Sequence, residues 1–336
     1  GALYNGKSSL GISTPSNYAL TWEKVAELNG GFSARVFNRL SLGFDVYHKK
    51  TSDMLMSIPY SYTTAFGDGP GNIGSMKNTG FDFDFALDLM KTKDILWTFK
   101  ANVNYNKNEI TELFAGRDSY VINGTGVKLQ VGKPYGEFFY VRNAGVDPAD
   151  GHPMWLDANG NLTKEFNEVE DAVFTGKQRY APWSGGFGTS FQYKNLSISA
   201  DFAWQADKYM INNDNFFIKN VRFANRWNQS TDMLNVWTKP GQITDIPATG
   251  YGSEFDTRLL ENASFLRLKN LTIQYVLPQK WINGTRILKS AKIFGIARNL
   301  FTITQFSGYD PEPDINLVRF NYPNTRQFVL GVEATF

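Results

Sequence analysis

Cysteine is missing from all 336 residues, and only two histidines occur, His48 and His152. Without thiols there is no disulfide framework, zinc–thiolate site or thiol nucleophile. Two isolated imidazoles rule out a histidine-rich metal site and give little support to a Ser-His-Asp triad. Long apolar runs are lacking too: no stretch approaches the roughly 20 residues of a membrane-spanning helix. Nor does charge of one sign dominate, since 34 basic and 32 acidic residues leave +2. No basic cluster stands out, which argues against a dedicated nucleic-acid binder. The opening GALYNGKSSLGISTP has neither the basic start nor the apolar core of a signal peptide.

What the sequence does have is rings and alternation. Aromatics make up 15% of a chain whose mean hydropathy is -0.34, a combination suited to membrane interfaces or a ligand-facing vestibule. FDFDFALDL sets Phe81, Phe83, Phe85, Leu87 and Leu89 against Asp82, Asp84, Ala86 and Asp88. RLSLGFDVY, ILWTFKANVNYN, LSISADFAW and the terminal TRQFVLGVEATF repeat the pattern. Period two means strands with one apolar and one polar face. Several runs reach about ten residues, near the 9–11 that cross a bilayer at a tilt, whereas soluble strands average about 5–6.

Strands are predicted near 21–37, 39–57, 76–91, 94–113, 183–194, 196–210, 262–277, 289–305 and 325–336. Their connections alternate: short at Asn38-Arg39, Lys93 and Lys194-Asn195 and modest at 278–288, but long at 58–75, 114–182, 211–261 and 306–324. Long loops on one side only is the layout of an outer-membrane barrel. The fold class is therefore all-β, an antiparallel transmembrane barrel. An odd number of strands, about nine, cannot close an ordinary even-numbered barrel and leaves two open edges. The expectation is the C-terminal part of a larger barrel. The rival reading is a soluble, secreted all-β carbohydrate-binding or structural protein, whose apolar strand faces would meet a dry core.

Particular residues resemble a family. LTWEKVAELNGGF (20–32), FDVYHKKTSDMLM (44–56), NIGSMKNTGFDFDF (72–85), YKNLSISADFAW (193–204), FLRLKNLTIQYVLP (265–278) and ARNLFTITQFSGYDPE (297–312), with terminal Phe336, are similar to motifs of SusC/RagA-type TonB-dependent transporters. One departure is Asp82, where a glutamate is expected. The resemblance implies about nine C-terminal strands of a roughly 22-stranded barrel, spanning 1–336. Plug, TonB box and early strands lie outside this chain. It also implies the bacterial outer membrane, its lipid, a SusD-like surface lipoprotein and TonB as partners, and import of glycans or oligopeptides. No enzyme activity and no cofactor are expected.

Local motifs are weighed against that frame. Asp157, Asn159, Asn161 and Glu168 fall at EF-hand-like offsets, a weak calcium candidate. Leu162 stands where such a loop needs glycine, and Asn159-Gly160 favours a tight hairpin instead. Asp310, Glu312 and Asp314 of YDPEPD are read as a rigid proline-acid turn rather than a catalytic pair. His48 is expected at a membrane interface. The glycines of FGDGPGNIG (66–74) lie in a hairpin loop, not a phosphate cradle. Substrate contact is assigned to loop aromatics: Tyr60, Tyr62, Phe66, Trp155, Tyr180, Trp227, Trp237 and Tyr251. A short helix is expected within 212–237.

Overall fold

Sustained alternation gives strands long enough to span a bilayer, and these dominate the chain. A computed structural model describes residues 2–4, 7–9, 16–59, 68–122, 127–285, 287–315, 317, 318, 320 and 322–336. Its wall is an antiparallel meander of nine strands: β1 Lys24–Val36, β2 Leu40–Ser52, β3 Gly74–Lys91, β4 Ile95–Leu113, β5 Trp183–Tyr193, β6 Leu196–Ala206, β7 Phe265–Val276, β8 Ser290–Arg298 and β9 Gln327–Thr335. Each pairs with its neighbour in sequence, and β1 and β9 are the two ends of the path. This agrees with the nine strands predicted.

Register aligns the faces across the wall. One continuous row runs Phe32–Phe44–Phe83–Val103, and another Leu42–Phe85–Ala101–Phe187–Phe202. Phe32, Val46, Phe328, Leu330 and Val332 on this face are exposed. Among the described residues no second sheet covers it, as a soluble sandwich would require. The opposite face carries Asp45, Asp82, Asp84, Asn104 and Asp201. There a Cβ on Gly43 would come within 2.2 Å of the Asp84 carboxylate leaning from the next strand.

The turns are tight at one end. Phe37 and Asn38 both have positive φ (52° and 54°), and the Arg39 amide bonds the Val36 carbonyl, a primed turn that suits strand twist. At the other end three predicted strands prove longer than the wall strands they contain. The runs 39–57, 196–210 and 289–305 are interrupted at Asp53, Asp207 and Asn299, with φ of 57°, 58° and 51°. Asp and Asn tolerate this left-handed backbone better than other non-glycine residues; the breaks at Asp53 and Asp207 turn the chain out of the wall, whereas after Asn299 it pairs with the wall again. Beyond the breaks, Leu55–Pro59 pairs with Asp68–Asn72, Tyr209–Ile211 with Leu260–Asn262, and Thr302–Thr304 with β7.

The long connections fold against one another. Within 114–182, Glu137–Val146 pairs with Val127–Gln130, Pro153–Leu156 and Ala172–Gln178. Phe138 and Tyr140 of that strand join Ile211, Leu259 and Leu260 in one buried cluster. The expected short helix is Asn213–Ile218, started by Asn212, whose side chain accepts from the Asn215 amide.

Candidate functional site

Where the polar face of the wall meets the folded loops there is a cavity of about 420 Å³. Its wall side is built by alternation alone: Asn104, Asn106 and Asn108 sit two residues apart on β4, so all three point one way. Asn78 on β3 completes the group and binds it together. Its Oδ1 accepts from Asn106 Nδ2 at 3.1 Å and Asn108 Nδ2 at 3.0 Å. Asn104 donates to Asp82 at 2.8 Å, and the Tyr47 hydroxyl donates to Asn106 Oδ1 at 3.2 Å. Asn108 Oδ1 reaches up to the loops and accepts from the Tyr135 amide at 2.7 Å.

The loop side is aromatic and charged. Tyr135 and Tyr180 stack with centroids 6.0 Å apart. Gly136 lies beneath with φ of 93°, and a Cβ there would come within 3.0 Å of the Tyr180 ring. Burial pushes the Tyr180 hydroxyl pKa up. The Arg179 guanidinium lies 4.8 Å over that ring and pairs with Asp314 at 3.2 Å. Lys208, almost fully buried, gives Nζ protons to the carbonyls of Pro311, Glu312 and Pro313, each at 2.9 Å. Burial lowers the Lys208 pKa to about 8, against the pull of Asp314, Glu312 and Asp310. The ammonium form therefore still prevails at neutral pH.

The YDPEPD segment is thus anchored, not poised for acid–base chemistry. Arg267, itself buried, pairs with Asp310 at 2.6 Å and with Glu312. Lys269 also holds Glu312. Burial alone would raise the Asp310 carboxyl, but hydrogen bonds from Arg267, Glu312 and Asn324 hold it below the ordinary range. The cations responsible come from β7, from Lys208 just past the end of β6 and from Arg179 before β5, so spacing in sequence gave no sign of them.

The assigned aromatics fall into different places. Tyr180 lines the cavity. Trp155 is 3% exposed, packs on Phe166 at 5.3 Å and donates from Nε1 to Asp256 at 2.8 Å, so its ring serves the loop core. Trp237 donates to the Pro148 carbonyl at 3.2 Å. Tyr251 lies 4.2 Å from the His152 ring. Trp227 stacks on Phe223 at 5.0 Å with half its surface open. Tyr60, Tyr62 and Phe66 lie outside the described residues. Asparagines, not aromatics, line the wall side of the cavity. Their signal was the alternating NVNYNKN of 102–108, already visible as the polar face of a strand.

The calcium candidate folds as the tight hairpin: Trp155 pairs with Thr163 and Leu156 with Leu162. Asp157 turns inward on its own loop, accepting from Asn161 N at 2.8 Å and Nδ2 at 3.0 Å. These bonds, the Asn161 side chain first, hold its carboxyl below the ordinary range. Among the described residues no three His, Asp or Glu side chains are grouped to hold a metal. His48 accompanies Thr79 at 2.8 Å on the apolar face.

The geometry can be set beside known proteins. No family model matches the chain. The solved RagAB peptide transporter is 38% identical and superposes with a TM-score of 0.91 over 100% of this chain and 38% of that one. The chain is SusC/RagA-like. The RagAB importer in its closed-closed state gives 40% identity and a TM-score of 0.90 over 97% of this chain and 37% of that one. TonB-dependent receptor SusC of Bacteroides thetaiotaomicron is 29% identical over 339 residues, 95% of this chain and 32% of that protein. TonB-dependent receptor P3 of Formosa agariphila is 26% identical over 357 residues, 96% and 35% respectively. The SusC/RagA-like chain thus spans about a third of the length of the relatives it matches, and its location is the bacterial outer membrane. The names these relatives carry are those of receptors and transporters.

Proposed function

We propose that the chain forms the C-terminal part of the barrel wall and the outer mouth of an importer for oligomeric nutrients. The remainder of the barrel and the plug, in this or another chain, a SusD-like lipoprotein, and TonB complete it. Substrate is captured between lipoprotein and loops and then passes along the lumen when energy delivered through TonB moves the plug.

Oligopeptides are favoured over glycans as substrate. The observation that carries this choice is the carboxamide group Asn78, Asn104, Asn106 and Asn108 on the cavity wall. Carboxamides both donate and accept, as a peptide main chain does, whereas stacking platforms for sugars are confined here to Tyr135 and Tyr180. The higher identity to a peptide transporter than to SusC points the same way. The test is binding to the whole receptor with its lipoprotein, comparing a mixed oligopeptide pool with malto-oligosaccharides. Asn106→Leu is expected to weaken peptide binding about fivefold to tenfold, the loss of one well-placed hydrogen bond. Tighter binding of the sugar, unchanged by that substitution, would overturn the choice.

A further inference from the structure

The apolar face of the wall does not stay apolar to its end. Its outermost rows can be read by register. Gly30, Val46, Phe81, Tyr105 and Trp183 stand side by side across β1 to β5. Next outward come His48, Thr79 and Lys107, and beyond them Lys50, Lys77 and Glu109. Three lysines therefore crown a face that is otherwise apolar.

Depth identifies what they meet. Tyr193 and Trp183 stand at opposite ends of β5, ten positions apart. At about 3.4 Å per residue and a tilt of about 40°, that is about 26 Å of height, close to the roughly 25 Å of an outer-membrane apolar band. The row holding Tyr105 and Trp183, whose rings are 4.5 Å apart, is then the outer aromatic girdle. Lys107, Lys50 and Lys77 stand just above it, at the headgroups of the outer leaflet.

The charges are only partly balanced internally. Lys77 pairs with Glu109 at 2.8 Å and Lys24 with Asp53 at 2.9 Å. Lys50 faces Lys77 directly across the strands, and Glu109 neutralises only one of these two like charges. Neither Lys50 nor Lys107 has a carboxylate within ion-pair distance among the described residues, and both are exposed. Directly below is a mostly apolar groove of about 720 Å³ bounded by Leu28, Val46, Phe81 and Tyr105. Gly30 lines it on β1 and contributes no side chain to it.

We propose that this face is a binding site for a phosphorylated lipid of the outer leaflet, its phosphate over Lys50, Lys77 and Lys107 and an acyl chain in the groove beside Gly30. A headgroup anion relieves the Lys50–Lys77 repulsion, and the groove supplies the specificity for a chain that a free phosphate lacks. The site is outside the lumen and separate from substrate passage.

The test uses the full receptor in non-ionic detergent. It is incubated with mixed micelles containing bis-phosphorylated lipid A, its dephosphorylated form or phosphatidylcholine, and bound lipid is counted by native mass spectrometry. Retention of the phosphorylated lipid alone is expected. At about fivefold per lysine near an anionic surface, K50Q/K77Q/K107Q is expected to weaken it about a hundredfold. Gly30→Leu, which fills the groove without touching charge, is expected to release the lipid as well. Glu109→Gln is expected to tighten binding about fivefold, which keeps the proposal testable should the triple variant fail to fold. Equal retention of phosphorylated and neutral lipids, displacement by millimolar inorganic phosphate, or indifference to Gly30→Leu and Glu109→Gln would overturn it.

Discussion

The wall and the loops of this protein bury opposite things. Phe138, Val141, Trp155, Ile211 and Leu259, all in loops, are nearly sealed from solvent, whereas Leu28, Phe32, Phe328 and Leu330 in the wall are open. The loops thus fold as a soluble protein does, around a core of their own. Wall strands are held by ladder hydrogen bonds and cross-strand ring contacts such as Phe187–Phe202 at 4.6 Å, with lipid where a core would be. One chain therefore carries two solvents' worth of patterning, divided after β2 and β6 at the left-handed residues Asp53 and Asp207.

The sharpest way to break this division is to disturb the contact between the two regions. Arg267→Ala would leave Asp310 and Glu312 as carboxylates without their buried partner and is expected to cost about 3–5 kcal/mol, read as the unfolding free energy of the receptor in detergent. Phe85→Arg is next. On the lipid-facing side, level with Phe187 near the middle of the band, it is expected to cost about 2–4 kcal/mol by reversible folding into lipid vesicles. The same substitution on a solvated face would cost almost nothing, so a null result would make the wall a soluble sheet.

The loop latch is also open to acid. The folded state holds the Asp310 carboxyl below its usual value. Its contribution is therefore fully present above the unfolded value of 3.8 and is lost as pH falls through the lower folded value. Hydrogen exchange of residues 308–314 is expected to quicken below about pH 4, while amides of the wall stay protected. The smallest effect should follow Gly160→Val. Gly160 has φ of 91°, which a β-branched residue adopts only with strain, so about 1–2 kcal/mol is expected. The loss should be confined to the hairpin and visible as local exchange near Leu156 and Leu162, with no change in the wall.

Much of the fold could be read before any coordinates. NVNYNKN carried both the strand and its polar face, and Asn159-Gly160 announced its hairpin. The candidate site was less legible. Tyr180 was named for its chemistry alone, while Trp155, named on the same grounds, is sunk in the loop core against Asp256. Nothing within a few residues of either ring separates the two. Lys208, Arg179 and Arg267 went unnoticed because their partners lie 103, 135 and 43 residues away.

By itself the sequence determined the strands, their faces and the side on which the long loops stand. These follow from a two-residue period and from turn residues acting on their immediate neighbours. Tertiary structure alone decided which rings are core and which line the cavity, which cations hold YDPEPD, and that Lys50, Lys77 and Lys107 come together in neighbouring rows of one face. Those outcomes depend on register between strands and on contacts between distant loops, which no local pattern encodes.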